Sequence, residues 1–323
     1  MLPLVSVIVP NYNHAAYLYK RLRSVLDQTY TNFECIVLDD ASTDNSVEII
    51  QDFLAKDERI SFIASDKNSG SPFIQWNKGV QLAKGAFIWI AESDDVADTR
   101  FLETMVKQLD ENPAAALAYC QSYKMDSSGN ITGSWLEWTD DMDADLFKAD
   151  FKMNGIPYIE RFLVNRNTIP NASAVVFRKS VYNEIQGANE TIPTSSDWLT
   201  WLKMLLNYNL VFVAKSLNFF RYHQDSVIAK AHTRESKVYE PEFDYAMRSE
   251  FDNYLLLQNG GKLKNVKKLN DQFIYHAIGN RGLYNYKNGN KLKGLSQIIQ
   301  ASVYPKITIS YIKRLLFTKS LRK

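Results

Sequence analysis

Cysteine is scarce in this chain of 323 residues: Cys35 and Cys120 are the only two, and each sits among apolar neighbours. That excludes a disulfide framework and marks both as small core residues of a protein kept in a reducing compartment. No run of about 18 uncharged apolar residues occurs, so no membrane span is expected. Met1 leads straight into an apolar, strand-like segment without a basic stretch, so no secretory leader is expected. The first strand is not followed by G-x-G-x-x-G, which disfavours a dehydrogenase. No internal repeat and no low-complexity segment is visible.

What is present is core-forming material. With 46% hydrophobic and 13% aromatic residues, the chain can bury one large or two modest cores. The net charge of +2 hides an asymmetry. Gly261 to Lys323 holds 14 Lys and Arg against one acid, Asp271, a balance of +13, which leaves −11 for residues 1–260. An acidic body with a basic C-terminal region implies a meeting with an anionic surface. Ile307–Lys323 interleaves basic residues with Ile, Leu and Phe, as in a helix lying on an anionic bilayer. Peripheral membrane contact through 305–323 is expected; no nucleic-acid partner is, because charge alone supports one and no motif does.

Strand and helix periods alternate four times at the start of the chain. Leu4–Val9 and Phe33–Leu38 read as buried strands, Ile60–Ala64 as a shorter one, and Phe87–Ala91 as the fourth. Helical patterns run to about Gln28, from Asn45 to about Ala55 with Ser42 as its cap, and from about Phe73 to Lys84. This predicts a doubly wound α/β fold with a mostly parallel sheet. A helix over 101–110 and a strand over 115–119 follow. Asp126–Asn130 has hairpin-turn chemistry. Residues 134–168 show mixed periodicity and receive no assignment. Further strands are expected at 174–177, 210–213 and 217–222, with an apolar helix over 197–208 between them; from about 240 the pattern is helical.

Acids interrupt this scheme where strands should leave the sheet. Phe87–Ile90 is apolar, and Glu92-Ser93-Asp94-Asp95 follows at once; Phe33–Leu38 is likewise followed by Asp39-Asp40. Either cluster alone reads equally well as a helix start or a solvated turn. Two of them after two strands of one parallel sheet face the same crevice, where α/β proteins bind ligands. Paired carboxylates there suit a hard divalent cation and the phosphates it grips.

SVIVPNYNHAAYL (6–18), VLDQTYTNFECIVLDDASTDNS (25–46), NSG…QWNKG (68–79) and AKGAFIWIAESDD (83–95) together resemble family 2 glycosyltransferases of the GT-A fold, in order and in spacing. A weaker likeness extends to about Ser226. The resemblance implies an inverting enzyme of bacterial surface-polysaccharide type, a hexosyl- or N-acetylhexosaminyl-transferase. It implies a nucleotide-diphospho-sugar donor, a UDP-sugar being favoured, with Mn²⁺ or Mg²⁺ as cofactor. The implied acceptor is a glycan or lipid-linked glycan at the cytoplasmic face of the membrane. On this likeness Pro10 and Tyr12 pack the nucleotide base, and Asp40 accepts its N–H. Asn77 belongs to the donor-binding set. Asp95 is the first metal ligand, Asp94 lies nearer ribose and diphosphate, and His223 is a further ligand. Asp197 is the general base, which as a bare pattern is also a helix N-cap; Trp198 offers a face to the acceptor. His14, His232 and His276 carry no pattern.

Three positions depart from the family. Glu92 stands where Asp is usual, Trp76 where Arg is frequent, and Ser196 where Glu precedes the base. They keep two rivals in view: a catalytically inactive sugar-nucleotide-binding subunit and a sugar-phosphate nucleotidyltransferase. The second should carry a Gly-rich, basic loop after its first strand, which PNYNHAAYL is not. The expected organisation is a GT-A domain over 1–240, split into a nucleotide-sugar half (1–112) and an acceptor half (113–240), with a basic helical C-terminal region over 241–323.

Overall fold

The computed structural model describes residues 2–192, 194–223, 239–258 and 261–303. The segment 305–323 and His232 lie outside them. Two compact units divide after His223, ahead of the expected boundary at 240.

The first unit opens with the expected alternation: β1 (Val5–Asn11), α1 (Ala15–Leu26), β2 (Phe33–Asp39), α2 (Ser46–Leu54), β3 (Ile60–Ala64), α3 (Pro72–Leu82), β4 (Phe87–Ile90), the two-residue β5 (Val96–Ala97) and α4 (Phe101–Asp110). β1 and β4 are buried along their whole length, as strands covered on both faces must be. Leu18, Leu22 and Val25 of α1 recur at helical spacing and are fully buried. Ser42 does not cap α2; it bonds back to Asp39, while Asp44 Oδ1 accepts from the Ser46 N–H at the helix start. Cys35 and Cys120 are free and buried, and burial pushes both thiols up to about 12, as expected of core filler.

β1 pairs parallel with β2 on one side and with β4 on the other, and β2 with β3. The strand order β3-β2-β1-β4 reverses direction at β1, so the crevice outside the carboxyl ends of β1, β2 and β4 is the switch point of the fold.

The rest of the unit comprises β6 (Ala115–Met125), β7 (Ile131–Ser134), β8 (Phe151–Asn154), the single-turn α5 (Gly155–Tyr158), β9 (Val175–Arg178), α6 (Lys179–Glu184), α7 (Ser196–Leu205) and β10 (Asn209–Arg221). Here the sheet becomes mixed. β9 runs antiparallel between β4 and β6, and β6 pairs parallel with β10. The two strands expected over 210–222 are one strand with register shifts around Ser216, an irregularity that reads as a break in the pattern. Residues 134–168 form short turns on either side of β8 and α5, held by side chains. Arg161 pairs with Asp143 and Arg166 with Asp141, around a cluster of Phe147, Phe151, Tyr158 and Phe212.

The described residues of the second unit are helical, as their pattern predicted: α8 (Tyr239–Leu257), α9 (Lys264–Lys287) and α10 (Lys291–Gln300). Gly282 and Gly294 bring α9 and α10 together; a Cβ on Gly294 would stand 2.6 Å from the Gly282 carbonyl oxygen. No helix among the described residues is long and apolar enough to cross a membrane.

Candidate active site

Three distant stretches of chain meet at the carboxyl edge of the sheet. β4 ends at Ile90, and the acidic turn Glu92–Asp95 follows immediately. His14 stands in the turn between β1 and α1, and His223 follows the end of β10. The Asp94 carboxylate lies 3.0 Å from His223 Nε2, and His14 Nδ1 lies 2.8 Å from Ser93 Oγ. One ligand atom from each of His14, Asp94 and His223 falls within 4.8 Å of the others. Burial alone would push the Asp94 carboxyl up, but the bond with His223 and the charges of both imidazoles bring it below its ordinary value. Nδ1 of His223 is buried without a hydrogen-bond partner. Two imidazoles and a low carboxylate, with one ring nitrogen left over, form a donor set that fits a divalent cation.

Asp95, expected as the first metal ligand, has both carboxylate oxygens bonded to the protein. Its side chain is buried, Oδ1 accepts from the Arg221 N–H at 2.8 Å, and Oδ2 accepts from Asn171 at 3.2 Å. Burial and the neighbouring Asp94 charge push it up to about 6, with Arg21 opposing. The geometry therefore puts Asp94, not Asp95, beside the two histidines. His14 had no signal in the sequence beyond its place after the first strand.

Two buried arginines support the acidic turn. Arg21 sits on the apolar face of α1, donates to the Glu92 carbonyl at 2.7 Å and to Ser173, and comes within 3.9 Å of Asp95. Arg221 donates to the Asp94 carbonyl at 2.6 Å and to the carbonyls of the Asp126 hairpin, with its guanidinium over Tyr17. Sequence reasoning missed both. The legible signal was a charge at position 21 in register with Leu18, Leu22 and Val25.

The two departures Trp76 and Glu92 meet each other. Trp76 Nε1 donates to Glu92 Oε1 at 2.8 Å, and burial, with the charge of Asp94, pushes the Glu92 carboxyl up to about 8. Asn77 is spent elsewhere: its NH₂ donates to Ala188 and Glu190, and its Oδ1 accepts from Tyr182 and Ala188. All four of its hydrogen-bonding positions are taken in holding the 187–190 loop.

At the other end of the crevice, Tyr12 leaves β1 with 43% of its surface exposed, while Pro10 lies within the strand opposite Leu38. Loops 11–14 and 39–44 are stitched together by Asn11 to Asp39 and by Asn13 to Thr43. Asn13 and Ala41 take the left-handed backbone conformation without being glycine. The Asp40 carboxylate accepts from Ser69 N–H and Oγ and from Gln75, which leaves about one of its four lone-pair positions for a ligand.

Asp197 stands in the first turn of α7, which begins after Ser195 in the left-handed conformation at φ 64°. The N-cap is Ser195, so capping does not account for Asp197. Its Oδ2 accepts from Asn167 Nδ2 at 2.9 Å. Burial pushes its carboxyl up to about 6, against the pull of the Trp198 N–H and Asn167. Trp198 donates to the Leu163 carbonyl, and Trp201 is core. Asn167 holds Asp197, and four residues on Asn171 holds Asp95, so one segment links the two carboxylates. A recess lined by Gln121, Trp135, Trp138 and Thr168 adjoins it.

This arrangement offers a cluster that could hold a cation, an exposed aromatic at the carboxyl edge of the sheet and a separate raised carboxylate. The family model described as "Glycosyl transferase family 2" matches residues 6–185, and the chain belongs to that family. It is a glycosyltransferase. GlyG of Streptococcus pneumoniae is 29% identical over 236 residues, covering 71% of this chain and 74% of that protein. The GalNAc(5)-diNAcBac-PP-undecaprenol beta-1,3-glucosyltransferase of Campylobacter jejuni is 25% identical over 239 residues, 74% of this chain and 71% of that one. Among solved structures, S. aureus TarS 1-349 in complex with UDP-GlcNAc superposes with a TM-score of 0.66 at 19% identity, over 92% of this chain and 79% of that one. The fold is accordingly of the GT-A type, with helices appended at the C-terminus.

Proposed function

We propose that this protein is an inverting transferase that moves a hexosyl or N-acetylhexosaminyl group from a nucleotide-diphospho-sugar to a hydroxyl of a glycan or lipid-linked glycan, in cell-surface polysaccharide synthesis. The observation that carries the reading is the convergence of His14, Asp94 and His223 at the switch point of the sheet. A UDP-sugar is the favoured donor: TarS was crystallised with UDP-GlcNAc, and Tyr12 and Asp40 border the crevice a pyrimidine would enter. The name of the Campylobacter relative specifies a lipid-diphosphate-linked glycan, which favours an acceptor of that class. The site of action is then the cytoplasmic face of the membrane.

In this mechanism Tyr12 stacks on the base and Asp40 accepts its N–H. Asp94, His223 and His14 would hold the divalent ion, whose positive charge would offset that of the departing diphosphate. Asp95 holds the turn through the Arg221 N–H and Asn171, a positioning role in place of the ligand role expected of it. Asp197 takes the proton of the acceptor hydroxyl. The new C–O bond forms at the anomeric carbon while the bond to the diphosphate oxygen breaks, and approach from the opposite face inverts the centre. The recess beside Trp135 and Trp138 offers aromatic faces to a sugar. Two imidazoles favour Mn²⁺ over Mg²⁺. The pairing of Trp76 with Glu92 supports an active enzyme over an inactive subunit, because the two departures satisfy each other without emptying the site.

The test is release of nucleoside diphosphate from a panel of UDP-, GDP- and dTDP-sugars with Mn²⁺ or Mg²⁺. We expect one donor to be hydrolysed, faster with Mn²⁺, and Asp94→Ala to lose at least a hundredfold in rate. Turnover that ignores both metal and Asp94→Ala would overturn the reading.

A further inference from the structure

Helix α10 and the turn after it carry two apolar faces. Gly294, Ile298 and Ala301 are buried, on the side where Gly282 of α9 approaches. The other face holds Leu292, Leu295, Ile299 and Val303, which are 86, 41, 68 and 65% exposed. At helical spacing these four fall within an arc of roughly 80°. Scattered exposed leucines need no explanation, but a continuous stripe on one helix face does.

Charge identifies what covers it. Lys291 and Lys293 are exposed on either side of the stripe. Between Gly261 and Lys323 the sequence holds 14 basic residues and one acid, Asp271, which pairs with Lys267 at 3.0 Å, while Lys267 also meets Asp252 of α8 at 2.6 Å. Beyond Val303 the sequence continues in the same mixture of basic and apolar residues. The same helix of a second copy would bring the same positive sign to the face and be repelled. A single-stranded nucleic acid would want aromatic platforms, and this stripe has none. Apolar side chains flanked by lysines suit the boundary between acyl chains and anionic headgroups.

We propose that the Leu292–Val303 face of α10 is a docking surface for an anionic lipid bilayer, its apolar stripe entering the acyl boundary and Lys291 and Lys293 meeting lipid phosphates. Nothing at Asp94 or Asp197 enters this inference, so it stands or falls separately from the catalytic reading.

The test uses the full chain, sedimented with vesicles of phosphatidylglycerol and phosphatidylcholine or of phosphatidylcholine alone. The expected result is strong binding to the anionic vesicles, weakened by salt, and little to the neutral ones. Leu292→Glu with Ile299→Glu should lower partitioning roughly tenfold or more, with melting temperature and donor hydrolysis unchanged, since both side chains are exposed. Lys291→Gln and Lys293→Gln should each lower it about fivefold. Binding by the double Glu variant equal to that of the parent, or equal binding to neutral vesicles, overturns the proposal. So does a parent that dimerises through this face and ignores vesicles, which would make a second copy the occupant.

Discussion

Asp197 owes its expected basicity to two opposing neighbours. Burial raises its carboxyl from the ordinary value of about 4 to about 6, and Asn167 pulls it part of the way back by favouring the charged form. A base must be ionised, so kcat/KM should fall about tenfold per pH unit below about pH 6. Asn167→Ala removes a donor to the carboxylate; its acid limb should shift to higher pH, and a pH–rate profile unchanged from the parent would remove Asn167 from this role. Stability runs the other way. A carboxyl whose pKa is raised on folding is most stabilising when protonated, below about pH 4, and that contribution is lost as pH rises from about 4 through about 6. Near pH 7.5 the charged, partly buried Asp197 therefore costs stability. Asp197→Asn should abolish turnover yet unfold about 1–2 kcal/mol harder in urea, the range allowing for screening at a partly exposed group. Asp94, Asp197 and His223 could be singled out in the sequence as candidates because each stands in a motif at the end of an element. His14, Arg21 and Arg221 were not: they matter through what the fold brings to them, and a sequence displays only what is adjacent along the chain.

At the scale of elements, legibility followed period. The first four strands and the helices between them lie close to where alternation put them, because strands covered on both faces and helices covered on one leave distinct patterns. Residues 134–168 resisted for the opposite reason, since their turns are held by Arg–Asp pairs and an aromatic cluster, interactions with no repeat. Gly155 is their tightest point. A Cβ there would overlap the carbonyl oxygens of Leu205 and Tyr208, backbone atoms at the end of α7 that cannot rotate away. Gly155→Ala should therefore cost more than about 3 kcal/mol in denaturant unfolding and, by displacing the helix that carries Asp197, lower turnover as well. Loss of less than 1 kcal/mol would mean that the α5–α7 contact yields more easily than backbone packing allows.

At the scale of the first unit, the proposed metal cluster joins segments far apart in the chain. His14 follows β1, Asp94 follows β4 and His223 follows β10, so one ion bound to all three ties the start, middle and end of a 223-residue unit. Glu92, Asp94 and Asp95 crowd one turn, where burial first and the Asp94 charge second raise the carboxyls of Glu92 and Asp95. An ion that binds the folded state and not the unfolded one stabilises by RT ln(1 + [L]/Kd), about 2.7 kcal/mol at a hundredfold excess over Kd. For a unit of this size that corresponds to roughly 5–10 °C in melting temperature. Saturating Mn²⁺ should give such a rise in calorimetry, Mg²⁺ a smaller one, and chelation should reverse it. Asp94→Ala and His223→Ala should abolish the shift. His14→Ala should only reduce it, because Asp94 and His223, which bond each other, remain in place. Asp95→Ala should destabilise the apo protein by exposing the Arg221 N–H and Asn171 to an empty site, yet keep most of the Mn²⁺ shift. The reverse pattern, a shift that survives Asp94→Ala and is lost in Asp95→Ala, would restore Asp95 as the ligand and require the turn to rearrange when the ion binds.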